Sequence, residues 1–269
     1  MKFVRFSVSK ETPPTAADSA TGVRWGTIDG DGYRQLQGDP YGQWIPTGRV
    51  YSPAEVRLLP PCSPSKIVCI GRNYAEHAKE LSNPLPAEPL LFLKPPSALI
   101  ASGDAIVYPP QSERVDYEGE LGLVVGRRCS RVADPEQALR YAFGYTCVND
   151  VTARDLQKRD VQFTRGKGFD TFCAVGPCLV TRDEIDPAQV AVRTHLDGEL
   201  KQDGNTRDLI FPLGVIISYI SQVMTLEPGD LIATGTPAGV GPMHPGSTVT
   251  VEIEGIGALR NPIRERGEL

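Results

Sequence analysis

The chain has 269 residues, 40% of them hydrophobic and 23% charged, with a formal net charge of −5 and a pI near 5.4. That balance supports one sizeable core with a smaller appendage and excludes disorder of the whole chain. An acidic chain without a Lys/Arg cluster has no electrostatic footprint for nucleic acid or an anionic membrane, and no apolar run approaches the roughly 18 residues of a membrane span, so the expectation is a cytoplasmic protein with a small-molecule partner.

Met1 to Val8 alternates like a strand, as do Val23 to Ile28 and Tyr33 to Leu36 on either side of the turn Asp29-Gly30-Asp31-Gly32. Residues 1–60 therefore read as a small N-terminal β domain in which no chemistry shows. The stretch Leu59 to Pro64 carries three prolines. Proline lacks an amide hydrogen and restricts the residue before it, which places the boundary there and leaves 61–269 as the second domain.

That domain opens with an apolar strand, Lys66 to Ile70, then a glycine turn and a short helix in Gly71-Arg72-Asn73-Tyr74-Ala75-Glu76-His77-Ala78-Lys79-Glu80. Helical spacing places His77 and Glu80 on one face, where the carboxylate would orient and charge-stabilise the imidazole and make it a base. A chance pair on a surface helix is the competing reading. The proline-rich stretch 81–89 cannot pack as helix or central strand and suits a mobile lid. His195, before an Asp-Gly turn, and His244, in a Pro/Gly-rich loop, offer less.

Leu90 to Lys94 and Ala105 to Tyr108 return to the core ahead of the acidic strand Val115-Asp116-Tyr117-Glu118-Gly119-Glu120-Leu121-Gly122-Leu123-Val124-Val125. On an extended segment residues i and i+2 share a face, so Glu118 and Glu120 lie side by side, with Gly119 leaving the other face unobstructed. A solvated strand face is the alternative, but Leu121 to Val125 is too apolar for an exposed edge, and buried carboxylates need a reason. A helix around Pro135 to Arg140 and a strand through Cys147 deliver a third carboxylate, Asp150. Three such groups make an oxygen-rich site of formal charge near −3, suited to Mg²⁺ or Mn²⁺.

Thr152 is the expected N-cap of a helix running through Arg154 and Gln157. Lys167 stands between Gly166 and Gly168. In a backbone open to close approach it would complement a carboxylate or a developing enolate; a solvated lysine in a flexible loop is the other reading. Val215 to Met224 has helical periodicity and reads as core. The last 45 residues are turn-rich strands, with Thr248 to Ile253 and Ala258 to Ile263 closing the sheet. The glycine-rich stretch Gly235 to Pro242 lacks the Gly-Lys-Ser/Thr of a phosphate loop, which rejects a nucleotide site, although backbone amides and Thr236 could line a carboxylate pocket. Six cysteines sit singly, mostly in apolar runs, and read as reduced core residues.

Taken in order, Gly71-Arg72-Asn73-Tyr74 with His77 and Glu80, Phe92-Leu93-Lys94-Pro95, Glu118-Gly119-Glu120-Leu121-Gly122, Asn149 to Asp155, Lys167-Gly168-Phe169-Asp170 and Thr234-Gly235-Thr236-Pro237 resemble the fumarylacetoacetate hydrolase superfamily over residues 66–263. The resemblance implies an α+β, β-rich protein with a mixed β-roll catalytic domain, usually a homodimer. It also implies Mg²⁺ or Mn²⁺ held by Glu118, Glu120 and Asp150, and a helix carrying His77 and Glu80 that orders over the substrate. Lys167 and Thr236 contact the substrate on this view, and Arg72, Tyr74 and Gln157 are carried over as further binding positions. The match is closer to the short acylpyruvase, oxaloacetate decarboxylase and hydroxyheptadienedioate isomerase branch than to fumarylacetoacetase, and Gly168 stands where many relatives have Ser.

A 2-oxo acid substrate offers its carboxylate and 2-oxo oxygens to a divalent cation. The first expectation is hydrolysis of a carbon–carbon bond in an acylpyruvate, with His77, oriented by Glu80, deprotonating water and Lys167 assisting departure of the enolate. Decarboxylation or isomerisation of 2-oxo or 2-hydroxydienoic diacids is the alternative, since both also pass through an enolate. A non-catalytic metal-binding relic is a third reading, against which stand His77, Glu80 and Lys167, because metal binding needs none of them.

Overall fold

The computed structural model describes residues 1–8, 22–82 and 84–267. Its frame is a sheet of 12 strands. Along the main path lie Trp44–Tyr51, Gly32–Gly38, Val23–Asp29, Lys2–Val8, Cys173–Thr181, Ala142–Asp150, Gly119–Val125, Leu231–Ala233, Ile67–Gly71 and Leu90–Lys94, in that spatial order. Pairing is antiparallel except where Leu231–Ala233 runs parallel to Ile67–Gly71 and where Leu99–Ile100 joins Cys173–Thr181. The N-terminal hairpins thus continue the large sheet, because Lys2 and Phe3 pair with Val180 and Leu179. No helix among the described residues is long and apolar enough to cross a membrane.

The apolar run Leu121 to Val125 occupies the sheet interior, flanked by Ala142–Asp150 and Leu231–Ala233. Every residue of Gly119–Val125 is buried, which explains a continuous rather than alternating hydrophobic pattern. A second sheet of five strands, ordered Glu199–Asn205, Ala191–Leu196, Thr248–Ile253, Gly257–Glu265 and Ile106–Tyr108, covers it. Helix α1 (Ala75–Glu80), α2 (Pro135–Leu139), α3 (Arg154–Arg159), α4 (Thr164–Lys167) and α5 (Leu213–Val223) supply the connections. α5 buries Ile216, Ile217 and Ile220 in the main core, as its periodicity requires.

Several local expectations are corrected. The acidic segment is not one strand: Val115–Tyr117 belongs to a separate three-stranded sheet with Thr152–Ala153 and Gly241–Met243, and the chain changes sheets at Glu118. The amide freed by that change donates to the Asn149 side-chain oxygen at 3.0 Å, while Glu118 O accepts from Asp150 N at 2.9 Å, so no backbone group is left bare by the switch. The far side of Gly119 is not open. A Cβ there would lie 2.1 Å from Thr194 Oγ1, so glycine is what lets the five-stranded sheet approach. Thr152 caps no helix: it lies in a strand, its hydroxyl donates to Asp150 O at 2.9 Å, and Ala153 precedes α3. Lys167 is neither in a loop nor solvated but ends the single turn of α4 with 2% exposure. Thr248–Ile253 and Gly257–Glu265 pair with each other in the second sheet rather than closing the first.

Candidate active site

Three chain segments bring the carboxylates together. Glu118 stands at the change of sheets, Glu120 two residues on, and Asp150 at the end of the neighbouring strand, opposite Cys173 in the ladder. One oxygen from each of the three lies within 4.8 Å of the others, and all three residues are buried. The donor set is all oxygen and anionic, as a hard divalent cation requires.

The surrounding charges are arranged unequally. Lys167 Nζ donates to Glu118 Oε2 at 2.7 Å and to Asp150 Oδ2 at 2.6 Å, and rests 5.0 Å from the centre of the Phe92 ring. Lys94, fully buried at the end of Leu90–Lys94, donates to the other Asp150 oxygen and, at 3.0 Å, to Val151 O. Arg154, the first residue of α3, bonds Glu118 Oε1 through Nη2 and Asp116 Oδ2 through Nε at 2.8 Å. Asp116 is itself fully buried and is also held by Arg114. Burial alone would raise the Glu118 carboxyl, but Lys167 and Arg154 bring it well below the ordinary range. Burial likewise works against the Lys167 ammonium, and Asp150 and Glu118 more than restore it.

Glu120 is different. It accepts from Gly235 N at 2.7 Å and, among the described residues, has no cation at ion-pair distance. Burial, then Asp150 and Glu118, push its carboxyl well above the ordinary value. Four buried carboxylates, Asp116, Glu118, Glu120 and Asp150, thus meet three buried cations, Lys94, Arg154 and Lys167. Glu120, the one of the four without an ion-pair partner among the described residues, marks the place where a divalent cation fits, between it and its two neighbours.

His77 and Glu80 are joined as helical spacing predicts, His77 Nδ1 to Glu80 Oε2 at 3.3 Å. His77 is 5% exposed. The Glu80 carboxylate also accepts from Gly239 N at 3.1 and 3.2 Å, and Tyr117 Oη donates to Gly239 O at 2.9 Å, so α1 is fastened to the glycine-rich loop. With Nδ1 directed at a carboxylate, the neutral imidazole carries its proton there and presents Nε2 as a base.

A cavity of about 490 Å³ joins these groups: Arg72, His77, Glu80, the three carboxylates, Gln157, Lys167 and Thr236 all contribute to its wall. Tyr74 does not. It is buried before α1, where burial and Glu120 raise its phenol. The Thr236 hydroxyl is engaged internally, donating to Gly119 O at 2.8 Å and accepting from Gln202 Nε2 at 2.8 Å. Gln202 Oε1 in turn accepts from Gly119 N at 3.0 Å, fixing the backbone between the two glutamates.

Sequence reading gave no role to Lys94, Asp116, Arg154 or Gln202. A charge ending the apolar strand Leu90–Lys94 was a usable signal for Lys94. For Gln202, on a strand 82 residues beyond Glu120, there was none.

Residues 66–264 match the family model described as fumarylacetoacetate (FAA) hydrolase C-terminal, and residues 1–61 match a second, Rv2993c-like N-terminal. Oxaloacetate tautomerase YisK of Bacillus subtilis (strain 168) is 43% identical over 227 residues, covering 80% of this chain and 75% of that protein. The crystal structure of 2-hydroxyhepta-2,4-diene-1,7-dioate isomerase from Mycobacterium marinum superposes with a TM-score of 0.88 at 42% identity, covering 100% of both chains. Fumarylpyruvate hydrolase from Pseudomonas aeruginosa, solved in complex with Mn²⁺ and pyruvate, superposes with a TM-score of 0.72 at 33% identity, over 78% of this chain and 92% of that one.

Proposed function

Because the chain belongs to the fumarylacetoacetate hydrolase family, we propose that it is an enzyme that moves a proton between carbon and oxygen in a 2-oxo acid, interconverting keto and enol forms. This shifts the weight from hydrolysis, the first expectation, to its alternative. Full-length similarity to an isomerase and 43% identity to a tautomerase support the shift.

The observation that carries the reading is the pair of buried His77 and its carboxylate partner Glu80, facing the same cavity as the carboxylate triad and Lys167. Held by Glu80, His77 Nε2 takes the proton from the carbon beside the 2-oxo group. Glu80 stabilises the imidazolium that results, and Gly239 N keeps the carboxylate in place. The Lys167 ammonium sets a positive charge beside the oxygen on which negative charge develops. Lys94 and Arg154 hold Asp150 and Glu118 in position. A divalent cation bound by Glu118, Glu120 and Asp150 would supply Lewis-acid stabilisation and an anchoring point for the 2-oxo acid.

The test is solvent exchange. In D₂O, Mn²⁺-loaded protein should speed ketonisation of enol-oxaloacetate, followed in the ultraviolet, and introduce deuterium at carbon 3; His77→Ala should do neither. Carbon–carbon hydrolysis remains the second reading, favoured by the 33% identity to a fumarylpyruvate hydrolase. Solvent ¹⁸O appearing in the acid released from an acylpyruvate, without carbon-3 exchange of oxaloacetate, would establish it in place of the first. A homodimer is part of the same proposal, and light scattering at a monomer mass would remove it.

A further inference from the structure

The glycine-rich loop after Leu231–Ala233 serves two groups at once. Gly235 N donates to Glu120 Oε2 at 2.7 Å, and Gly239 N donates to the Glu80 carboxylate at 3.1 and 3.2 Å. The amide that holds a triad carboxylate and the amide that holds the partner of His77 therefore lie in one short stretch, which belongs to no helix or strand. A stretch without ladder hydrogen bonds must be fixed by side chains. Gln202, 1% exposed on Glu199–Asn205 of the second sheet, does this. Its Nε2 donates to Thr236 Oγ1 and to Pro237 O, each at 2.8 Å, and its Oε1 accepts from Gly119 N at 3.0 Å, so both amide hydrogens and the oxygen are used. Thr236 closes the ring of contacts by donating to Gly119 O at 2.8 Å, and Tyr117 Oη holds Gly239 O at 2.9 Å.

The fold makes room for this bridge in three places. Thr194 faces Gln202 and His195 faces Leu200, which leaves Lys201 as an extra residue, a bulge of the kind that re-aims the side chain beside it. A Cβ on Gly204 would lie 2.4 Å from Pro237 Cβ, and one on Gly239 would lie 2.2 Å from Lys201 O, so loop and strand touch only because both positions are glycine. One buried amide thus fixes the peptide between Glu118 and Glu120 and also the loop whose ends hold Glu120 and Glu80. We propose that Gln202 is a positioning residue that couples the cation site to the His77–Glu80 base, so that a cation at the triad and fastening of α1 onto Gly239 favour each other. A loop already stiffened at Glu120 loses less freedom when it takes up Glu80, and linkage makes the effect equal in both directions. The inference rests on the proposed function for its kinetic consequence only.

Hydrogen exchange read by mass spectrometry over residues 75–82, with and without Mn²⁺, tests the coupling without any substrate. In wild type Mn²⁺ should slow exchange of the α1 amides by about 5- to 50-fold. Gln202→Met keeps the side chain's length and removes all three hydrogen bonds. Mn²⁺ affinity should fall about 10-fold, and saturating Mn²⁺ should then slow α1 exchange by less than ~2-fold. At saturating Mn²⁺ its kcat should fall about 10-fold with KM within ~3-fold of wild type, because the base is displaced while the substrate's anchoring point is kept. Tyr117→Phe, which changes no charge and removes only the hydroxyl on Gly239 O, should reduce the Mn²⁺-dependent protection about 3-fold, and it carries the test if Gln202→Met does not fold. Wild-type α1 exchange indifferent to Mn²⁺ would overturn the coupling, as would full protection persisting in Gln202→Met or, where that variant does not fold, in Tyr117→Phe. Protection lost as expected in a protein that exchanges no carbon-3 proton of oxaloacetate would leave the coupling standing and remove the proposed reaction, while exchange of that proton without Mn²⁺-dependent protection would do the reverse.

Discussion

Replacing Glu120 by Gln should have opposite effects on the cation-free and the cation-loaded protein. Without a cation, Glu120 is the one triad member lacking a positive partner, with ligand atoms of Glu118 and Asp150 within 4.8 Å. At an effective dielectric of 20, two unit charges at that distance repel by about 3.5 kcal/mol. Lys167 offsets part of this, so removing the charge should stabilise the cation-free protein by about 1–3 kcal/mol, or roughly 2–8 °C in Tm. With Mn²⁺ present an anionic ligand is missing, and affinity should fall at least ~100-fold.

The pH dependence has a definite sign. Glu120 is raised in the folded, cation-free protein by burial, then by Asp150 and Glu118, above its ordinary value of 4.5. Between those two values the folded state holds a proton that the unfolded state has released, so stability is greatest below pH 4.5 and falls as pH rises through the folded pKa. Glu120→Gln should lack that decline. Scanning fluorimetry in EDTA and in saturating Mn²⁺, from pH 5 to 9, reads both effects. A variant that melts no higher than wild type in EDTA, or that gains as much from Mn²⁺, would refute the reasoning.

His77→Ala should lower kcat by roughly 10²-fold or more while leaving Mn²⁺ affinity, measured by titration, within about 2-fold, because His77 contacts Glu80 and no triad oxygen. Gly119→Ala forces a Cβ to 2.1 Å from Thr194 Oγ1 and should cost about 1–3 kcal/mol in urea unfolding, with weaker Mn²⁺ binding because both flanking glutamates must shift. Asp116→Asn leaves Arg154 buried beside a neutral partner and should destabilise by about 3–5 kcal/mol; an unfolding curve superposable on wild type would show that Arg154 needs no second carboxylate.

Local pattern made much of the site legible. Helical spacing joined His77 to Glu80, and the density of apolar residues after Glu120 correctly placed that strand in the interior. The break at Glu118 was not legible, because it depends on the Asn149 side chain taking up a backbone amide 31 residues away. Nor was the fate of Thr152. Its hydroxyl chose the carbonyl of Asp150 over a helix amide, and both partners lie within two residues in sequence, so pattern alone could not rank them. Lys167 misled for a related reason: flanking glycines signal a loop, whereas here Gly166 packs against Gln157 and Gly168 against Thr164 O, and the pair of glycines allows close packing rather than motion.

The larger gap was charge. Three carboxylates in sequence suggested a site of net charge near −3, yet the fold adds Asp116 and answers the four with Lys94, Arg154 and Lys167. Burying seven charges without pairing would cost far more than the stability of a domain of this size, so the cations are a condition of folding before they serve chemistry. That order of causes explains their placement. Lys94 and Arg154 hold the oxygens of Asp150 and Glu118 that face away from Lys167, and each is anchored a second time, by Val151 O and Asp116 respectively. Lys167 bridges the two carboxylates and is the cluster's only lysine in the cavity wall. Arg154 shares that wall, so of the three cations Lys167 and Arg154 are the ones that can meet a substrate, while Lys94 keeps Asp150 fixed from behind.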